Sequence, residues 1–136
     1  MKKTICSFIA MFAIMFAFIG CGSSNTPTGV AENALKCIQK SDFKSFIDLI
    51  NIEGSNKEDI DQKKVQLEAL LSGKMSKALE AKSGLKSWEI LSEEISEDGN
   101  KAKVKVKQTW GDGTEEDDEI NLVKDADGNW KLSMNK

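Results

Sequence analysis

The spacing of apolar residues changes from a helical repeat to a strand repeat close to residue 84. Before that point apolar residues recur at steps of three and four, which predicts helices over about 30–40, 43–50 and 57–82. Beyond it the repeat becomes two, and glycine-centred turns separate predicted strands over 88–97, 101–110, 114–124 and 130–134. Helices followed by a meander predict the α+β class, with the helices packed on one face of an antiparallel sheet.

The second predicted strand shows the clearest alternation and suggests a register for the hairpin that follows it. Its apolar and lysine positions alternate from residue 101 to residue 107. A symmetric turn over 111–113 would then place Lys107 opposite Asp117 and Lys105 opposite Glu119 on a charged outer face. The inner face would carry Trp110, Gln108, Glu116 and Asp118 near the turn, and these four are our candidate ligand-binding residues.

The first 21 residues have the pattern of an export signal. Lys2 and Lys3 precede an apolar run over 5–19, and Gly20 precedes Cys21. The segment 18–21 resembles the lipobox of bacterial lipoproteins, which implies lipidation of Cys21 after removal of residues 1–20. An ordinary secretion signal would want a small residue at position 18, and a retained membrane anchor would need a run of about 20 apolar residues. Both alternatives fit less well.

This interpretation divides the chain into a signal peptide over 1–20, the lipidated Cys21 with a flexible tether up to residue 29, and one domain over 30–136. The tether is rich in Gly, Ser and Thr, as flexible linkers are. We expect the domain to stand on a bacterial cell envelope. The outer membrane is preferred, because residues 22–25 contain no aspartate resembling an inner-membrane retention signal.

Charge and composition exclude several classes of function. Loss of Lys2 and Lys3 leaves 17 of the 19 basic residues against 22 acidic ones, a net charge of −5, which argues against a nucleic-acid partner. The chain contains no Arg, His or Tyr, so guanidinium clamps, imidazole bases and histidine metal ligands are absent from it. Cys37 is the one cysteine left for the mature domain, and we expect it to be a buried small apolar residue. No cofactor is expected.

The acidic stretch over 112–119, with Asp125 and Asp127, contains the hard oxygen ligands that Ca²⁺ prefers. Its spacing lacks the third ligand position and the terminal glutamate of an EF-hand loop, so a solvated acidic hairpin is preferred and no metal is expected. Trp88, Trp110 and Trp130 were considered as a ligand-facing cluster. We expect at least two of them to pack between the sheet and the helices.

The order of these elements resembles a known superfamily. A lipobox, a polar tether, a helix ending in the sequence KSDF at 40–43, a long helix and a meander closing on DGNWKL at 127–132 are similar to small bacterial lipoproteins with a nuclear-transport-factor-two-like (NTF2-like), or cystatin-like, domain. The resemblance covers residues 30–134. It implies a cone, in which a curved four-stranded sheet wraps the long helix and leaves a cavity at its open end. The members it resembles most have undefined functions.

One carboxylate is a candidate catalytic group. A two-residue turn at Asp98 and Gly99 would place Glu93 on the inner face between Leu91 and Ile95, where desolvation would raise its pKa toward that of a general base. A surface position is the simpler alternative, because a slip of one residue reverses the face. We therefore expect a non-catalytic binding or accessory module for an envelope protein or a small apolar ligand. The alternatives are a cavity enzyme of isomerase or hydrolase type that uses Glu93, and a structural envelope component.

Overall fold

The structure, a computed structural model, describes residues 25–134 and confirms the α+β class. Three helices precede four strands, with the bounds α1 Pro27–Lys40, α2 Phe43–Asp48, α3 Lys57–Ala81, β1 Leu85–Ile95, β2 Lys101–Trp110, β3 Glu115–Lys124 and β4 Trp130–Leu132. The predicted signal peptide, Cys21 and the first part of the predicted tether lie outside the described residues. No helix within 25–134 has the length and apolarity needed to cross a membrane.

Helix α1 begins three residues earlier than predicted. The Thr26 side chain accepts a hydrogen bond from the backbone N–H of Gly29 at 3.0 Å, and Pro27 occupies the first helical position, where its missing N–H costs nothing. The expectation that the tether extends to residue 29 is therefore wrong at its end. The helix stops at Ser41, whose φ of 56° ends the helical hydrogen-bond ladder, and Asp42 then caps α2.

The sheet is an antiparallel meander in the order β1-β2-β3-β4. Its β2–β3 register is the predicted one, with Lys107 opposite Asp117 and Lys105 opposite Glu119. In the β1–β2 pair Glu93 lies opposite Val104, which places it on the predicted inner face. A bulge at Leu91 shifts the register beyond that point, so Ile90 pairs with Val106 and the expectation of Leu91 on the inner face is wrong.

The core is formed where α1 lies on the sheet. Leu35 from α1 and Val104, Val106 and Leu122 from the sheet are fully buried. Helix α1 lies against β1, β2 and β4, whereas the long α3 lies mainly beside α2. The resemblance implied that the sheet wraps the long helix, but α1 is the helix that approaches the sheet most closely. Small residues such as Ala31 permit this close approach.

The segment after α2 extends the sheet, although the sequence predicts a loop there. Ile50 forms a parallel bridge with Leu132 of β4. The backbone N–H of Asn51 donates to the Leu132 carbonyl at 2.8 Å, and the Leu132 N–H donates to the Leu49 carbonyl at 2.7 Å. This short pairing covers the β4 edge of the sheet and carries Asn51 and Glu53 toward its outer face.

The turn between β2 and β3 packs against the C-terminal end of α3 through backbone groups. Gly111 donates its N–H to the Gly84 carbonyl at 2.7 Å, and Asp112 donates to the Lys82 carbonyl at 3.0 Å. A Cβ atom on Gly111 would overlap the backbone carbonyl of Ser83. Only glycine therefore fits this position without moving one of the two segments.

Two glycine-to-alanine variants should change stability in opposite directions. Gly111→Ala should lower the free energy of unfolding by about 1–3 kcal/mol, because the added methyl group collides with backbone. Gly73→Ala should raise it by about 0.5–1 kcal/mol, because Gly73 lies inside the unbroken α3 and a Cβ there meets nothing within 4 Å. Urea denaturation of both variants measures this difference. A Gly111→Ala protein as stable as wild type would contradict the packing described.

Candidate functional site

The four candidate ligand-binding residues lie on the inner face of the sheet, near the β2–β3 turn. Gln108 is opposite Glu116, and Asp118 is opposite Val106, in the register that the sequence predicts. The Gln108 side chain is buried, with 6% of its surface exposed, whereas Glu116 and Asp118 are exposed. Asp118 accepts a hydrogen bond from the neighbouring Glu119 N–H at 2.8 Å. The structure thus brings the four to one face without enclosing all of them.

Two of these residues form an interlocked contact with the end of α3, here called the Lys82 cluster and consisting of Lys82, Trp110 and Glu116. The Lys82 ammonium pairs with Glu116 Oε1 and lies 4.6 Å from the centre of the Trp110 ring. Trp110 Nε1–H donates to Glu116 Oε2 at 3.1 Å. Each polar group therefore has a partner inside the protein, and the cluster fastens α3 to the β2–β3 hairpin.

The pKa of Glu116 reflects this cluster. The hydrogen bond from the Lys82 ammonium, its positive charge and the Trp110 N–H hold the pKa of the Glu116 carboxyl below its usual value of 4.5, against a smaller opposing effect of desolvation. The lowered pKa means that the folded protein stabilises the ionised carboxylate of Glu116 relative to the unfolded chain.

Glu93 occupies the predicted inner-face register, but its carboxylate is exposed and engaged by α1. Its Oε1 accepts hydrogen bonds from the Thr28 backbone N–H at 3.0 Å and from the Thr28 hydroxyl at 2.9 Å. A carboxylate at the first turn of a helix accepts a hydrogen bond from a free backbone N–H and interacts favourably with the positive end of the helix dipole. Glu93 thus joins β1 to the start of α1, and its role as a general base stays a prediction.

The tryptophans mainly contribute to packing. Trp130 is 7% exposed and lies in the core, with the Lys124 ammonium 5.1 Å from its ring centre. Trp88 and Trp110 are half-buried and pack against the same core. This agrees with the expectation that at least two of the three rings pack between sheet and helices.

Cys37 is half-buried rather than fully buried. Desolvation raises the pKa of its thiol, and the negative charge of Asp42 adds to that effect. Among residues 25–134, no three Cys, Asp or Glu side chains come together in a way that could hold a metal ion.

The outer face of the sheet contains a depression that the sequence did not reveal. This outer-face groove encloses about 640 Å³ near the β1–β2 turn and is lined by residues of β1, β2 and β3, by the residues after β4 and by the segment after α2. The lining residues are Asn51, Glu53, Glu94, Ile95, Ser96, Lys101, Ala102, Lys103, Asn121, Leu122, Val123, Ser133 and Met134. Its volume falls within the range of sites that hold small ligands or peptide segments.

Polar groups of both signs line this groove together with exposed apolar side chains. Glu94 lies opposite Lys103 on neighbouring strands, although Lys103 pairs with Glu119 at 3.2 Å. Ile95, which lies opposite the buried Ala102 and therefore on the inner-face side of β1, is 51% exposed where β1 ends, and Met134 is 59% exposed. The alternation of lysines predicted an outer face, but it could not show that the twisted sheet and the 51–53 segment enclose a space there.

Comparison with known proteins identifies the family and the fold. A family model described as a domain of unknown function, DUF4878, matches residues 19–133. The chain belongs to this DUF4878 family. No curated protein matches the chain in sequence.

A solved structure shows that this DUF4878 domain has the NTF2-like fold. A candidate NTF2-like transpeptidase from Campylobacter jejuni aligns with a TM-score of 0.64 at 17% identity, over 81% of this chain and 99% of its own. An NTF2-like protein of unknown function from Exiguobacterium sp. 255-15 aligns with a TM-score of 0.41 at 18% identity, over 76% of this chain and 94% of its own. The first likeness supports the fold expected from the sequence. Identities this low do not allow the activity of either protein to be assigned to this chain.

Removal of the Glu93 carboxylate should destabilise the DUF4878 domain. Glu93→Ala leaves the Thr28 N–H without its acceptor, and we expect a loss of about 1 kcal/mol, the usual cost of losing a helix cap. Glu94→Ala is the matched control, because Glu94 points to the other face of the same strand. Chemical denaturation measures both. Equal stability of the two variants would contradict the capping role.

The Lys82 cluster should make stability depend on pH in the acidic range. Because the folded-state pKa of Glu116 is lowered, its stabilising effect is present above the unfolded value of about 4.5 and is lost as pH falls through the folded value. Glu116→Gln should therefore lose less stability than wild type between pH 6 and pH 3. Asp42, Asp59, Asp98 and Asp112 also have lowered pKa values, so a smaller dependence must remain.

The matched control for this pH profile is Glu115→Gln, which removes an exposed carboxylate from the adjacent position on β3. Thermal unfolding at several pH values is sufficient to compare the three proteins. If Glu115→Gln flattens the profile as much as Glu116→Gln does, the cluster does not cause the effect.

Proposed function

We propose that this DUF4878 domain is a lipid-anchored, non-catalytic module of the bacterial envelope that holds a partner in the outer-face groove. The NTF2-like fold is suited to a binding or accessory role. The observation that carries the proposal is the groove itself, about 640 Å³ in volume, with two large exposed apolar side chains and polar groups of both charges. Such a mixed lining gives both affinity and orientation to a bound molecule.

The inner-face residues favour a structural role over a binding role. Trp110 and Glu116 bond to each other and to Lys82, so a ligand there would have to replace these contacts. Glu93 is bonded to Thr28 in the same manner. In the outer-face groove Lys103 pairs with Glu119, whereas Lys101 forms no direct ion pair with a described acidic side chain.

The early start of α1 bears on the anchoring. Asn25 accepts a hydrogen bond from the Trp130 N–H at 3.1 Å, so the folded part begins at residue 25 at the latest. If Cys21 carries the lipid, the four residue steps from Cys21 to Asn25 reach at most about 14 Å. The domain would then stay close to the membrane surface. The groove lies toward the same end of the sheet, where the Lys124 N–H donates to the Asn100 carbonyl at 2.8 Å beside Lys101.

Photocrosslinking in living cells tests the proposal. A benzophenone amino acid at Val123, inside the groove, should give one discrete adduct in the membrane fraction. The same group at Lys77, exposed on α3 and away from the groove, should give none. Wild type should incorporate radiolabelled palmitate and Cys21→Ala should not, because Cys21 is the proposed site of lipidation.

The outcomes separate the two parts of the proposal. No adduct at Val123, or equal adducts at Val123 and Lys77, would contradict the binding site. No incorporation of radiolabelled palmitate into the wild type, or unchanged incorporation into Cys21→Ala, would contradict the lipid anchor. Each result is decisive without reference to the identity of the crosslinked molecule.

A further inference from the structure

We propose that the outer-face groove binds a short, extended peptide segment that carries an acidic side chain between basic ones. This inference rests on the proposed function and names the chemical class of the partner. It follows from the shape of the groove, from two side-chain amides that line it and from the order of charges along it.

The groove runs across the strands rather than along them. Its lining residues come from β1, β2, β3, the residues after β4 and the segment beyond Ile50, which are neighbours in the sheet. Four spacings of about 4.8 Å between these segments give a length of about 19 Å. An extended chain rises about 3.3–3.6 Å per residue, so the groove accommodates about six residues.

Two asparagines provide groups that match peptide bonds. Asn121 and Asn51 both line the groove, are half-buried, and make no side-chain hydrogen bond to another described residue. A carboxamide contains a donor and an acceptor side by side, as a peptide bond does. The two asparagines lie two strand spacings apart, about 10 Å, which is three residues of an extended chain.

The charges follow an order along the groove. Glu94 lies at the β1 end, Lys101 and Lys103 follow on β2, and Glu53 lies at the opposite end. A complementary segment has a basic residue at each end and an acidic residue near the lysines. No aromatic side chain lines the groove, which disfavours a sugar, because sugars bind well by stacking on aromatic rings.

Binding of two capped, fluorescein-labelled hexapeptides to the full-length protein in non-ionic detergent tests this inference. The peptide KAEAAK has the complementary order of charges, and EAKAAE has the inverse order. Fluorescence anisotropy should show saturable binding of the first and about threefold weaker binding of the second. Surface ion pairs rarely discriminate more strongly than this.

A pair of variants locates the binding site. Lys101→Glu should weaken binding of KAEAAK by about three- to fivefold, because it places a negative charge beside the acidic residue of the peptide. Lys107→Glu changes a lysine on the same face of β2 that does not line the groove, and it should leave the affinity unchanged.

Several results would overturn the inference. They are equal affinity for the two peptides, no binding of either, or an equal effect of the two lysine variants. Binding to vesicles of phosphatidylethanolamine that depends on Lys101 while neither peptide binds would instead assign the groove to a lipid. A discrete crosslink at Val123 combined with any of these results would leave the proposed binding function intact and remove only the peptide.

Discussion

The close packing of α1 on the inner face of the sheet is the contact on which the rest of the structure depends. Leu35 and Ala31 of α1 are fully buried, as are Val104 and Val106 of β2 beneath the helices. Burial of each large apolar side chain contributes about 1.5–3 kcal/mol, so this interface supplies much of the driving force for folding. It also decides which face of the meander is free, since a sheet covered by helices on one side presents its other side to solvent.

The two ends of the cone are held by different polar contacts around this core. At one end Glu93 accepts a hydrogen bond from the Thr28 N–H in the first turn of α1. At the other end the Lys82 cluster joins the end of α3 to the β2–β3 hairpin. Both contacts use side chains that the sequence offered as candidate functional groups: Glu93 as a general base, and Trp110 and Glu116 as ligand-binding residues. A carboxylate that bonds to a helix terminus or to an ammonium–tryptophan pair already has its partners in the folded protein, so these inner-face groups serve the fold.

The outer-face groove depends on these contacts indirectly. The inner face is committed to packing, and the segment after α2 pairs with β4, which places Asn51 and Glu53 beside the outer-facing side chains of β2 and β3. A short anchor at Cys21, as proposed, would hold this face near the membrane. The fold shared with other NTF2-like proteins therefore fixes the framework, while side chains on the outer face would determine what this member of the DUF4878 family binds.

The sequence determined those features that depend on local periodicity and turn chemistry. The change from a helical repeat to a repeat of two near residue 84 predicted the α+β class. Alternation over 101–107 and the glycines of the β2–β3 turn predicted the register of Gln108 against Glu116, because a repeat of two with a defined turn leaves few pairings. Tertiary structure alone decided the rest. The bulge at Leu91, the bonds of Glu93 to Thr28 and the pairing of Ile50 with Leu132 join residues far apart in the chain or break the repeat, and no local pattern encodes them. The groove is of this kind, since its walls meet only after the sheet has twisted and closed on the segment that follows α2.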